Sequence, residues 1–559
     1  SLAFTDSQVR DVLYDGLSRI RRRQYHAKTA RALEQHAKGK EGERVTLLAH
    51  HYVLADDVEK ALDYSVRAGE AASQVYAYEE SGRHLTTVLE LLEEAEREPI
   101  LRAEVLDQLG DATYYQGDAD AAIEHWQGAA EIYQDQGERV RQGEALRRVA
   151  YAHFMEKHDQ REASRWYEKA RTILEAKPRG IELIRLYNDV ARLEWRRGED
   201  PIAAVTMCQS ALELGKQLDA HEELSHTYQT LALLLPPEDK ARTMEYLERG
   251  LKIGREHERY DAASRAFVNL GVGQACVLGD LQLAIETFEE GLDYVQEAGY
   301  LAYRECIRAE LAFSGYVPSG AWDAAMDLAE KIESVPVRCK LHGVVYPLVT
   351  AGLVNMYRGK WGEGEECLKA AVESAASFEE ATFVAPQVML GRLYLEKGDY
   401  PEAESQLLAA YEVLHRAGEH IDYLRQLVLP LSLLAGLALR IKEPERAAGY
   451  AEELSGLAEH LDVDWARAYA DRVAGLLAEG REDWGASEEM LRRSVTIWTR
   501  LGLPYERART LYGLGTMYQR RRVREKAVAA LDEALTIFND LGAKTDVGKV
   551  LARKDLLTA

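Results

Sequence analysis

Arginine and aromatic side chains recur at matched positions in three successive stretches of this chain: Tyr114 and Tyr115, then Arg147 and Tyr151, then Asn188, Arg192, Trp195 and Arg196. Guanidinium forks and ring faces offer bidentate hydrogen bonds, stacking and cation–π attraction, which is the chemistry of binding hot spots. No reaction chemistry accompanies them. A GxxxxGK[ST] phosphate loop is missing, since Lys38-Gly39-Lys40 and Gly359-Lys360 lack the glycine-rich lead and follow no strand. Gly271-Val272-Gly273 falls inside a helical pattern without the flanking strand that a dinucleotide fingerprint needs. HExxH and GxSxG are absent, and the adjacent His50 and His51 point to different sides of a helix and cannot ligate one metal together. Carboxylates are spread as a solvated helix surface requires. The chain reads as non-enzymatic, without cofactor or metal.

What positions these side chains is a repeat. Its clearest copy, Leu390-Gly391, Tyr394, Gly398, Tyr400, Ala403, Leu407, Ala410, resembles the tetratricopeptide pattern. Aligned on Gly391, the anchors are Gly110, Ala150, Ala191, Ala232, Val272, Phe313, Gly352, Gly391, Ala435, Gly475 and Gly515, separated by 40, 41, 41, 40, 41, 39, 39, 44, 40 and 40 residues. The expected fold is all-α: a right-handed TPR-like α-solenoid superhelix of about twelve helix pairs with ~40-residue repeats. Each first helix carries the anchor, and each second helix carries small residues twelve and nineteen positions on, as in Gly110, Ala122 and Ala129. Trp126, Phe288, Leu407 and Leu531 are expected to fill the space between the pair. Gly117, Gly198, Gly279, Gly359 and Gly398 mark helix ends, most followed by a polar capping residue.

In this repeat class the inner wall comes from first-helix positions three before, one after, and four and five after the anchor. Those offsets give Asp107, Asp111, Tyr114 and Tyr115, then Arg147, Tyr151 and Phe154, then Asn188, Arg192, Trp195 and Arg196. Phe154 also suits packing between repeats. Later repeats offer a thinner lining of Asn269, Glu310, Tyr346, Arg392, Arg472, Arg509 and Tyr512. Two places break the rule: Leu235-Pro236-Pro237-Glu238 should shorten a first helix by about one turn, and the 44-residue step precedes Lys442-Glu443-Pro444. The chain divides into a helical junction at 1–40, irregular helical units at 41–97, regular repeats at 98–543 and a capping helix at 544–559, where Val547, Val550, Leu551 and Leu556 suggest an apolar face.

Seventy basic against ninety-four acidic residues leave a formal charge of −24. Such a balance repels phosphate backbones, so nucleic acid is not an expected partner. No apolar run is expected to approach the eighteen or so residues of a membrane helix, and the expected character is cytoplasmic. Five cysteines without CxxC or Cys/His clustering argue against disulfides and zinc. The opening Ser1-Leu2-Ala3-Phe4, with neither methionine nor signal segment, reads as a piece of something larger.

The opening residues Phe4-Thr5-Asp6, Val9-Arg10, Leu13-Tyr14, Leu17-Ser18, Arg21-Arg22-Arg23, Tyr25-His26, Ala30 and Ala32-Leu33-Glu34 resemble the segment joining a winged-helix module to a repeat array in signal-transduction ATPases with numerous domains (STAND class). Ala49-His50-His51-Tyr52, Ala61-Leu62-Asp63-Tyr64 and Ala68-Gly69-Glu70 match the same junction. The array, with Pro504-Tyr505-Glu506-Arg507-Ala508-Arg509-Thr510-Leu511, Ile537-Phe538 and Leu541-Gly542-Ala543, is similar to the sensor of the large bacterial LuxR-type ATP-dependent activators, whose best-known type responds to maltotriose. The resemblance implies a sensor that captures a protein or small-molecule inducer in its groove and relieves autoinhibition by an upstream nucleotide-binding module. The alternative is a scaffold that assembles proteins without switching.

The charge balance makes a testable statement. The purified chain is expected to bind random duplex DNA negligibly at physiological salt, because counterion release needs clustered cations and the dense ones are confined to Arg21–Arg23 and the 520–524 segment. Salt-dependent submicromolar binding in a fluorescence anisotropy titration would contradict it.

Overall fold

The computed structural model describes residues 12–36, 44–95, 98–157, 159–176, 179–198, 200–236, 238–300, 303–332, 341–376, 384–417 and 421–558. Residues 4–10 of the junction, Lys38-Gly39-Lys40, Pro237 and Cys339 lie outside the described residues. Every regular element among the described residues is helical, and within each of two compact units the helices pack chiefly on their sequence neighbours. The units are residues 1–182 and 183–559. The chain is an all-α solenoid of tetratricopeptide-like helix pairs.

The repeat helices run mostly to 14–20 residues, or roughly 20–30 Å at 1.5 Å per residue. Their ends follow local chemistry. Gly117, Gly198, Gly279, Gly359 and Gly398 all adopt positive φ, where a Cβ would be strained. Asp118, Asp200 and Asp280 each accept a hydrogen bond from the backbone N–H three residues on, satisfying an otherwise orphaned donor. Pro236 stops the His221–Leu234 helix, which has 14 residues.

Close approach at the anchors is real. A Cβ at Gly110 would lie 2.5 Å from the Trp126 indole, one at Gly391 2.8 Å from Leu407, and one at Gly515 2.7 Å from Leu531. The fifth anchor is corrected by one position. Gly271, not Val272, packs on the Phe288 ring, because a π-helical segment at Gln274–Leu278 places one extra residue in that helix.

In the first unit, before the regular repeats, Glu34 accepts hydrogen bonds from Tyr52 (2.6 Å), Lys60 (2.6 Å) and Tyr64 (2.8 Å). The Tyr52 and Tyr64 rings stack at 5.3 Å. Hydrogen bonding from Lys60 and Tyr52 holds the Glu34 carboxyl down at about 2.

The second unit folds back on itself. Lys240 pairs with Asp462 at 3.1 Å, and the Trp465 indole donates to the Cys276 carbonyl at 2.9 Å. The turn glycines Gly279, Gly320 and Gly359 sit against Leu501, Leu541 and Thr545 respectively. One seam thus joins repeats more than 180 residues apart in sequence.

Three expectations are corrected. The Ile421–Arg440 helix has the length and apolarity of a membrane span, with a mean hydropathy of 1.3, yet 61% of that window is buried inside the protein; it is a core helix with neighbours on most sides. Cys306 is disulfide-bonded; the lack of a CxxC motif argues only against a short-range pair. In the Lys544–Thr558 helix Val550 is buried, but Leu551 and Leu556 are exposed, and polar contacts described below help to hold it.

Gly320 has φ +90° and no room for a Cβ beside Leu541. Gly320→Ala is expected to cost roughly 1–3 kcal/mol, read as a lower urea midpoint. Adding Leu541→Ala should not restore the full loss if the backbone strain at this position is real.

Candidate functional site

Two places gather the chemistry-bearing residues. In the first unit, Tyr114 is buried and its ring lies 5.6 Å from Tyr115 and 6.2 Å from Tyr151, while Tyr115 stacks on Tyr78 at 4.4 Å. Arg147 is held by Glu144 through two hydrogen bonds of 2.8 Å, and Phe154 is buried. Beside them Arg148 bonds to Asp107 at 2.8 Å and lies 3.4 Å from Asp111. Burial pushes the Asp107 carboxyl up to about 6 in spite of the Arg148 guanidinium. The structure therefore brings Tyr114, Tyr115, Arg147 and Tyr151 into one neighbourhood, with much of their surface engaged inside the protein.

Asn188, Arg192, Trp195 and Arg196 belong to the second unit, on the Ile181–Arg197 helix. Asn188 is buried with its amide 3.5 Å from the Glu223 carbonyl, and the other three are half-buried.

The second place is a half-open cavity of about 400 Å³ in the second unit. Its walls are the helices Ala385–Lys397, Ile421–Arg440, Asp464–Gly480 and Pro504–Arg520, closed at one end by Lys544–Thr558. The offsets that select the first stripe select this wall as well. Applied to Gly391, Ala435, Gly475 and Gly515, they give sixteen positions, of which Leu395 and Glu396, then Ser432, Gly436, Leu439 and Arg440, then Arg472, Leu476, Glu479 and Gly480, then Tyr512, Thr516 and Arg520 line the cavity, while Val388, Arg392 and Gln519 do not. Arg472, Arg509 and Tyr512 of this wall are expected from the sequence, whereas Arg440 and Arg520 are missed, although the same offsets reach both. Lys549, Arg553 and Asp546 come from the terminal helix, where no repeat offset applies.

A buried charge cluster forms the cavity's back. Glu506 accepts from Arg472 at 2.5 Å and Arg392 at 2.9 Å, and all three residues are under 9% exposed. Arg392 lies over the Tyr357 and Tyr505 rings at 5.3 and 5.4 Å, and Arg472 over Tyr469 at 4.9 Å. Burial alone would raise the Glu506 carboxyl, but Arg472, Arg392 and Arg509 outweigh it and hold it well below the usual range. Glu396 faces Lys549 at 2.6 Å, Arg509 at 2.9 Å and Arg440 at 3.7 Å. Burial again opposes, and the Arg509 and Lys549 charges win. Tyr505 donates to Asp546 at 2.9 Å, tying the terminal helix to this cluster.

Glu222, His226 and Asp261 place one ligand atom each within 4.8 Å of one another. Tyr300 donates to Asp261 Oδ1 at 2.6 Å and Arg265 lies 3.3 Å from His226 Nδ1, while His226 Nε2 faces Asp261 Oδ2 at 3.5 Å.

Residues 100–176 match the tetratricopeptide repeat family. No curated protein matches the chain in sequence. Solved structures resemble it at low identity. The Cut9–Hcn1 hetero-tetramer of the APC/C is 13% identical over 91% of this chain and 93% of that one, with a TM-score of 0.45. BtubC from P. vanneervenii is 15% identical over 43% and 93%, with a TM-score of 0.31. A STAND protein with a tetratricopeptide repeat sensor from Pyrococcus horikoshii is 15% identical over 71% and 53%, with a TM-score of 0.35. None of these likenesses carries over a partner or an activity.

Removing the charge at position 506 is expected to lower stability by about 3–5 kcal/mol at neutral pH, since Glu506→Gln strands two buried guanidiniums. A depressed carboxyl stabilises above its unfolded pKa and loses that contribution as pH falls through the folded one. The gap between Glu506→Gln and the parent should therefore narrow below about pH 4.5 in urea titrations.

Proposed function

We propose that this chain is the non-enzymatic sensor region of a STAND-class signal-transduction ATPase similar to the LuxR-type regulators, working in the cytoplasm and relieving autoinhibition when an inducer binds. Tetratricopeptide repeats are protein-binding scaffolds, and the sensor reading adds to this a seat for a small molecule. One observation carries it: in the second unit four repeat helices and the Lys544–Thr558 helix line a half-open cavity of about 400 Å³. A long open groove suits an extended partner, whereas a cavity of this size suits a small ligand. The junction resemblance at residues 4–70 supports an upstream nucleotide-binding module. The exposed Val12, Leu13, Ile20 and Tyr25 in that region offer apolar surface for it.

A second reading, a scaffold whose partner contacts Tyr114, Tyr115, Arg147, Tyr151, Asn188, Arg192, Trp195 and Arg196, is favoured by the half-buried, recognition-type chemistry of Arg192, Trp195 and Arg196. The two readings separate experimentally. No atom lies within 4 Å of a Cβ added at Gly436 or Gly480, so Gly436→Leu and Gly480→Leu should fill the cavity and leave folding intact. Under the sensor reading, a low-molecular-weight metabolite fraction raises the melting temperature of the parent and not of these variants. Under the scaffold reading, they are silent, while Arg192→Ala or Trp195→Ala weakens a partner protein by about 2 kcal/mol.

A further inference from the structure

We infer that the cavity of the second unit takes a small polyanion, an organic molecule bearing phosphate or several carboxylates; this rests on the sensor reading. The first ground is charge. Arg440, Arg472, Arg509, Arg520, Lys549 and Arg553 line the cavity against three carboxylates, Glu396, Glu479 and Asp546, an excess of three positive charges (six minus three). The chain as a whole carries −24. A cationic interior in an acidic protein is not a by-product of composition.

The carboxylates present are already committed. Glu396 is one charge shared among Lys549, Arg509 and Arg440. Glu479 accepts from Arg520 at 3.0 Å, and Asp546 from Tyr505 at 2.9 Å and Lys549 at 3.3 Å. Arg553 has a 3.5 Å contact to the neutral Gln519 amide. A buried donor is left over: Arg509 Nη1 has no hydrogen-bond partner among the described residues and stands 4.0 Å from Glu506. Buried charged donors without partners are costly and are normally satisfied.

Room is the second, independent ground. Gly436 and Gly480 line the cavity with nothing within 4 Å of an added Cβ. Gly362, Gly449, Gly456 and Gly548 have the same room elsewhere in the helices, but of these open glycines the ones that line the cavity are Gly436 and Gly480. Their smallness keeps the space open and lets a ligand reach the backbone. Leu439, Val473, Leu476 and Phe538 add apolar wall for a carbon skeleton. Guanidinium forks match phosphate and carboxylate oxygens in pairs, and the volume excludes nucleic acid or a folded partner.

The test uses the full chain with pyrophosphate and citrate as probes, trehalose as a neutral control and sodium chloride at matched ionic strength, by isothermal titration. Saturable binding of pyrophosphate or citrate is expected, weakened at least about tenfold by Lys549→Met and by Arg440→Gln and largely kept by Lys549→Arg, as one charge-assisted contact predicts. Pyrophosphate alone would point to a phosphate ligand and citrate alone to a carboxylate one. Unchanged melting of the unliganded variants would show that folding is not the cause. Binding that both variants leave intact, or that chloride reproduces, overturns the inference, as does failure of both anions to bind. If trehalose or a neutral metabolite occupies the cavity and Gly436→Leu removes it, the polyanion inference falls while the sensor reading stands; if Gly436→Leu changes no small-molecule binding at all, both fall.

Discussion

The close approach of two helix backbones at one small residue per repeat is the constraint that the rest of this fold inherits. At Gly110, Gly271, Gly352, Gly391, Gly475 and Gly515 an added Cβ would collide with Trp126, Phe288, Leu368, Leu407, Leu491 and Leu531 respectively. A glycine inside a helix costs about 1 kcal/mol against alanine, while burying a large apolar side chain contributes roughly 1.5–3 kcal/mol. Burial therefore wins at each anchor. With the pair spacing fixed, a side chain at a given offset meets its equivalents forty residues away, which is why Ser432, Arg472 and Tyr512 stand on one wall.

The second unit adds a cost that the repeat alone would not carry. Taking an ion out of water costs several kcal/mol even after relaxation, and Arg392, Arg472 and Glu506 are all buried. Shared carboxylates and the faces of Tyr357, Tyr469 and Tyr505 offset part of it. An apolar interior would have packed these helices together at lower cost. What the charged version supplies is one shared carboxylate, Glu506, that fixes the Arg392 and Arg472 guanidiniums in place beside the cavity.

The fold was legible because repetition amplifies a weak signal: one Gly or Ala in a helical stretch says little, but nine of them among eleven anchors at intervals near forty residues leave no other architecture. The seam was not legible. Gly279, Gly320 and Gly359 read as turn glycines, which they are, and nothing local to them announces Leu501, Leu541 or Thr545 as neighbours. The Val272 anchor failed by one residue because a π-helical turn leaves no mark in a spacing count. The inner wall was half legible. The offsets reach the cavity, yet a search for rings and arginines passes over Gly436 and Gly480, because a cavity is recorded as missing side chains. The charges contributed by Lys549 and Arg553 lay beyond any repeat rule.

The opposed signs of surface and interior have a consequence for selectivity. At physiological ionic strength exposed charges are screened over about 8 Å, so the negative surface acts on whatever stays outside, and a long polyanion keeps most of its charge there. A small anion that passes the rim leaves that repulsion behind and meets six cations in surroundings of lower dielectric, where each interaction is stronger. On the polyanion proposal, size and charge would be read together: the negative surface would disfavour nucleic acid, neutral molecules would gain little from the guanidiniums, and a compact anion would gain from both the enclosure and the charge. The Lys544–Thr558 helix brings Lys549 and Arg553 to this wall and is tied there through Asp546 and Tyr505, so a helix outside the repeats completes the electrostatics of the cavity.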